Sequence, residues 1–156
     1  MSKLLQTPIA LATALTLGVG ATATLAKDAA TRAADEFALS KAVATASQKW
    51  RDAFNAGDAA AAAALYEENA IMVAKPFGIF EGRAAIQAFW TQLVAGGYDD
   101  VIYYKTTTVV SRDLSTAQVS AEWKMNNAHG IITNELWALQ PDGTVLLRED
   151  HFEVAQ

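Results

Sequence analysis

The stretch from Trp50 to Trp90 limits the possible folds more than any other, because it reverses direction repeatedly while keeping its aromatic residues in helical phase. Val43, Ala46, Trp50 and Phe54 fall at i, i+3, i+7 and i+11, one apolar stripe along a helix. Gly57 suits the left-handed residue that closes such a helix, and Asp58 can cap the next one. The run Ala59–Ala64 has high helix propensity and little bulk, so it predicts close packing against a neighbour. Leu65 and Tyr66 continue its phase, which favours helix over a disordered alanine tract. Ile71–Val73 reads as a short strand and Lys75-Pro76-Phe77-Gly78 as a turn. Arg83–Ala95 reads as a third helix, with Ile86, Phe89, Trp90 and Leu93 on one side and Gly96-Gly97 as its stop.

Beyond residue 100 the pattern changes from helical to extended. Val101–Val110 is rich in Tyr, Thr and Val, and Ala117–Asn126 alternates apolar with polar residues. Asn127-Ala128-His129-Gly130 and Pro141-Asp142-Gly143 supply turns into Ile131–Leu139 and Val145–Val154. Helices first and an antiparallel meander afterwards predict an α+β domain, three N-terminal helices packed against a curved, mostly antiparallel sheet.

The front of the chain reads differently. Lys3 precedes an uncharged apolar run, Ile9–Leu25, which ends on the small-residue exit Thr24-Leu25-Ala26. That order predicts a signal peptide over residues 1–26, and hence a periplasmic or secreted protein with no membrane attachment after cleavage. An uncleaved anchor is the alternative, but the run is rich in Ala, Thr and Gly and has no basic stop. Residues 27–34 read as a flexible lead-in, and 35–156 as a single domain. The formal net charge of −5 and the absence of a basic cluster argue against nucleic acid as a partner. With no cysteine, stability must come from packing.

The joints of these elements carry a resemblance. Phe54-x-x-Gly57-Asp58, Leu65-Tyr66-x-x-x-Ala70, Pro76-x-Gly78 and Glu81-Gly82-x-x-x-Ile86 occur in order, followed by Leu136-Trp137, Pro141-Asp142-Gly143 and Asp150-His151. From about Asp35 to Val154 the chain resembles the NTF2-like superfamily, and within it the SnoaL-like and DUF4440-type small domains. The resemblance implies a cone formed by a bent sheet around helices. Val145 departs from it, standing where the family often has Trp. Ketosteroid isomerase shares this fold. Matching its joints places its phenol donor on Trp50, its general base on Lys75 and its protonated carboxylic acid on Glu135. Only the last keeps a carboxyl group, so that isomerisation by that mechanism is not expected.

The candidate chemistry is sparse. Lys75 and Glu135, if both face the cavity, can form an ion pair, bind a ligand carboxylate, or act as acid and base; the plainer alternative is that both point outward. His151 can shuttle a proton or simply tether its strand. His129 looks like a hairpin-loop residue, and neither histidine has metal-ligand spacing, so no metal or other cofactor is expected. Trp50, Phe54, Tyr66, Phe89, Trp90, Trp123 and Trp137 come from separate elements and occupy apolar positions. Around the open end of a cone such rings leave an apolar ligand pocket, with Lys75, Glu135 or Tyr66 to orient its occupant. The expected function is binding of a small hydrophobic or aromatic molecule. Two alternatives stand beside it. One is a cofactor-independent isomerase, lyase or hydrolase using Glu135 or His151. The other is a non-catalytic homodimeric interaction domain, with Ile132, Leu136 and Ala138 as an outer-face apolar patch.

Overall fold

Helix α1, Val19–Asn55, carries the expected stripe. Leu39, Val43, Ala46, Trp50 and Phe54 are all buried, together with Ser47 on the same side. The computed structural model describes residues 19–155. The chain divides into two compact units, residues 1–33 and 34–156. The described part of the first is helical, and the alanines of residues 27–34 favour helix even where the side chains are exposed. The predicted signal peptide lies outside the described residues as far as residue 18. No described helix is long and apolar enough to cross a membrane.

Gly57, at φ 76°, turns the chain out of α1. Asp58 then caps the short helix α2, Ala59–Ala63, by accepting a 2.8 Å hydrogen bond from the Ala61 amide. Here the structure corrects the sequence reading. Tyr66 does not extend α2 but begins strand β1, Tyr66–Lys75. The amide of Leu147 donates to the Leu65 carbonyl at 2.8 Å, so sheet pairing captures the chain as soon as the alanines end. A cis Lys75-Pro76 bond leads into β2, Gly78–Glu81, a strand the sequence reading missed. Helix α3, Arg83–Ala95, follows and buries Ile86, Phe89 and Trp90.

The remaining strands are β3, Ile102–Val110; β4, Thr116–Lys124; β5, His129–Leu139; and β6, Val145–Val154. They join the first two in one six-stranded open sheet of order β2-β1-β6-β5-β4-β3. Among the described residues only the β1–β6 pair is parallel. The architecture is α+β, a long N-terminal helix with a mostly antiparallel sheet. The helices do not all precede the sheet, because the β1–β2 hairpin separates α2 from α3.

Two register breaks decide which residues face inward. Ile132 pairs with Phe152 and Asn134 with His151, which leaves Thr133 as an extra residue in β5. Leu136 pairs with Glu149 and Trp137 with Leu147, which leaves Arg148 extra in β6. Each bulge reverses the inside-outside alternation of its strand. Hence Ile132 and Glu135 are both buried in β5, and Leu147 and Asp150 are both buried in β6. The outer patch expected from Ile132, Leu136 and Ala138 does not form, since Ile132 and Ala138 are buried and Leu136 is half-buried.

Candidate functional site

Helices α1 and α3 contribute Trp50, Trp90 and Leu93 to a partly open cavity of about 250 Å³. Strands β3, β4 and β6 contribute Tyr103, Trp123, Asp150 and Phe152, and Phe77 and Asn127 stand among its exposed residues. The rings brace one another. Trp50 meets Trp90 edge-on at 5.0 Å between centroids, Trp90 stacks on Phe152 at 5.7 Å, and Trp123 meets Phe152 edge-on at 6.1 Å. Gly130 makes room for one of these rings. It pairs with Trp123 across β4–β5, and a Cβ there would sit 2.7 Å from the indole and clash with the Glu153 carbonyl.

Behind the apolar wall lies a buried carboxyl pair. Glu135 and Asp150 are directly opposed across β5–β6, so their side chains leave the sheet on the same face. They are 2% and 5% exposed. Glu135 accepts from Tyr103 Oη at 3.0 Å and from Trp137 Nε1 at 2.9 Å. Asp150 accepts from Tyr66 Oη at 2.6 Å, and Trp90 Nε1 in turn donates to Tyr66 Oη at 3.2 Å. Arg51 lies over the Tyr103 ring, 4.6 Å from its centroid, and is fixed there by bonds to Ser47 and Gln48.

This environment separates the two acids. Burial raises Glu135, while the bonds from Trp137 and Tyr103 and the charge of Arg51 oppose that rise. Asp150 is pushed up to about 8, by burial first and by the Glu135 charge second, against the opposing bond from Tyr66. Near neutral pH the pair therefore holds a proton between its two members. Both tyrosine hydroxyls are raised well above their ordinary range, chiefly by burial.

Two polar atoms stand apart from this network. Trp50 Nε1 and Trp123 Nε1 are the buried side-chain polar atoms, among the described residues, that have no hydrogen-bond partner. An unpaired buried donor costs about 1–3 kcal/mol, yet both indoles line the cavity.

The sequence-predicted residues divide accordingly. Trp50, Trp90 and Trp123 line the cavity. Phe54 is buried beneath Trp50, stacked at 5.5 Å. Tyr66, Glu135 and Trp137 form the polar layer around the carboxyl pair. Lys75 does not face the cavity. Its side chain is 64% exposed and its ammonium pairs with Glu153 at 2.6 Å, because it ends β1 just before the turn. His151 neighbours Asp150 and so points to the opposite face, half-exposed and 3.9 Å from Glu149. Neither meets Glu135, and the role imagined for a Lys75–Glu135 pair falls away. Asp150 and Tyr103 were not anticipated. A phase change in the apolar pattern of β6, from Val145 and Leu147 to Phe152 and Val154, was the available signal. Among the described residues no cluster of three His, Asp or Glu side chains can hold a metal ion.

Comparison with known proteins agrees with this architecture. The SnoaL-like domain family matches residues 47–143, and the chain belongs to that family. A putative scytalone dehydratase from Novosphingobium aromaticivorans is similar in structure, with TM-score 0.66 and 11% identity over 80% of this chain and 89% of that one. A putative dehydratase of the NTF2-like family from Streptomyces avermitilis gives TM-score 0.64 and 13% identity, covering 77% and 98%. A ketosteroid isomerase-like protein from Erwinia carotovora atroseptica gives TM-score 0.63 and 15% identity, covering 74% and 95%. At such identities the likeness is one of fold. No curated protein matches by sequence.

Proposed function

We propose that this SnoaL-like domain binds a compact apolar or aromatic molecule in the cavity bounded by Trp50, Trp90, Trp123 and Phe152, and does so as a secreted or periplasmic protein. The observation that carries the reading is the cavity itself, about 250 Å³ and walled largely by aromatic rings. An apolar cavity of about 150 Å³ suffices for benzene, and drug-sized pockets begin near 300 Å³. The ligand class is therefore one or two fused rings. A thermal-shift screen of such compounds tests it. Stabilisation should appear for the wild type and vanish in Ala128→Trp, which fills the cavity from its half-buried rim. A screen in which no compound stabilises the wild type refutes the reading.

One observation favours a second reading, turnover of the bound molecule. Asp150 lines the cavity and holds its proton near neutral pH, so it can act as a general acid toward a leaving hydroxyl or a carbonyl, with Glu135 directly opposed to it across β5–β6. Two of the structural neighbours are described as putative dehydratases, and a cofactor-independent lyase or isomerase fits the same groups. Asp150→Asn should retain binding and lose turnover; equal turnover in the variant removes Asp150 from the chemistry.

A further inference from the structure

We infer that the cavity selects an organic cation with an apolar surface, received by its aromatic rings and balanced by the buried Glu135–Asp150 pair. The inference rests on the binding function proposed above and specifies the charge of its ligand. Elsewhere in the molecule carboxylates have basic partners: Glu67 has Arg148, Glu68 has Arg83, Glu122 has Lys105 and Glu153 has Lys75. The two buried acids have none within ion-pair distance among the described residues. Their hydrogen bonds come from neutral groups, the hydroxyls of Tyr66 and Tyr103 and the indole of Trp137. A buried carboxylate without a countercharge is costly, and a cation brought beside it offsets part of that cost. Asp150 is open to such a partner. Its Oδ2 accepts from Tyr66, while Oδ1 has no hydrogen bond among the described residues. Oδ1 is nevertheless not among the fully buried atoms that lack a partner, so it keeps accessible surface, and Asp150 lines the cavity.

The wall meets the other requirement. Trp50, Trp90, Trp123, Tyr103 and Phe152 surround the space, and no Lys, Arg or His lines it. Aromatic faces attract cations, most of all where water is excluded. Arg51 lies outside the lining, with its guanidinium over the Tyr103 ring and bonded to Ser47 and Gln48. An anionic ligand would meet the acid pair without a countercharge of its own. A metal ion fits poorly, because hard cations need about six oxygen ligands and no three acids cluster among the described residues. A methylated ammonium or an N-alkylated heteroaromatic ring suits both the rings and the acids. Its binding also displaces the proton that the pair holds. Asp150 is pushed up to about 8 by burial and by the Glu135 charge, and a fixed positive charge beside it reverses that rise. The other groups facing the pair are Tyr66 from β1 and Tyr103 from β3, with Arg51 of α1 beyond it. Burial keeps both tyrosines neutral at pH 7, so the released proton comes from the acids.

The test compares three probes on one two-ring frame: 1-methylquinolinium, its neutral isostere 1-methylnaphthalene, and 1-naphthoate. Affinities are read with the full chain at pH 7 from quenching of tryptophan fluorescence. Proton release is read by titration calorimetry of the cation in buffers of different ionisation enthalpy. The cation should bind about tenfold tighter than its isostere, the scale of a desolvated cation–π contact, and tighter still than the carboxylate. Its binding should release most of one proton. Asp150→Asn should narrow the cation-to-isostere affinity ratio several-fold and abolish the release, and Glu135→Gln should narrow the ratio as well. Equal affinity for cation and isostere, or cation binding without proton release, overturns the inference while leaving an apolar binding cavity in place. Naphthoate binding as tight as the cation overturns the sign of the charge. A ratio unchanged in both variants overturns the part assigned to the acid pair. If none of the three probes binds, the binding function and this specification fail together. The wild-type ratio and proton count decide the matter even if neither variant folds.

Discussion

The buried acid pair makes the protein's stability depend on pH in a direction opposite to the usual one. Asp150 binds its proton in the native state up to about 8, against an ordinary value of 3.8 when unfolded. Between those values the folded protein holds a proton that the unfolded chain has released. Stability from this group is therefore complete below the unfolded value and is lost as pH rises through the folded one. The slope is one proton, about 1.4 kcal/mol per pH unit, which corresponds to roughly 5 °C in Tm for a domain of this size. Asp113, Asp142 and Glu67 shift the other way, so their contribution is lost only as pH falls through the acid range. Asp150→Asn mimics the protonated acid and leaves an oxygen to accept from Tyr66. Chemical denaturation at half-unit steps from pH 5.5 to 7.5 should show the wild type losing about 3 kcal/mol more than Asp150→Asn across the window. Glu135 is also raised and titrates together with Asp150, so the comparison reads the acid pair as one unit. Parallel pH profiles for the two proteins would mean that Asp150 is already ionised in the native state, and the acid role argued for it would fall.

Gly130→Ala should destabilise by about 2–3 kcal/mol in urea titration, because its Cβ meets the Glu153 backbone and the Trp123 ring; a neutral result would show that β5 and β6 can part at that point. Asn55→Ala should cost about 2 kcal/mol, since its amide both donates to the Val101 carbonyl at 3.1 Å and accepts from the Val101 amide at 2.7 Å, clamping the end of α1 to the approach to β3. Hydrogen exchange at Val101 should rise with it. Lys75→Ala should change stability by less than about 1 kcal/mol and leave ligand affinity unaltered, as its ion pair with Glu153 is exposed; weakened binding would return Lys75 to the cavity.

How much of this was legible depended on whether local periodicity survived folding. The α1 stripe and the Gly57-Asp58 joint were readable because a helix face and a cap are local properties, and both stand as read. Tyr66 was misplaced because alanine propensity extends a helical phase on paper, while the β1–β6 pairing that stops it comes from residues some 80 positions away. The orientations of Lys75 and His151 stayed open in the sequence because they depend on a turn and on a bulge. Strict alternation from Val145 and Leu147 turns Glu149 and His151 inward and Asp150 outward. The extra residue Arg148 reverses that, and Thr133 does the same for Glu135.

Those two bulges bear on whether the acids serve structure alone. A sheet that only had to cover helices would pack more stably with apolar residues at positions 135 and 150, since paired buried charges seldom repay their desolvation. Here two strands each insert one residue, and the result is that two acids turn inward opposite each other. Tyr66, Tyr103, Trp90 and Trp137, drawn from four elements, then satisfy or support them. The fold thus supplies donors where its own acceptors are.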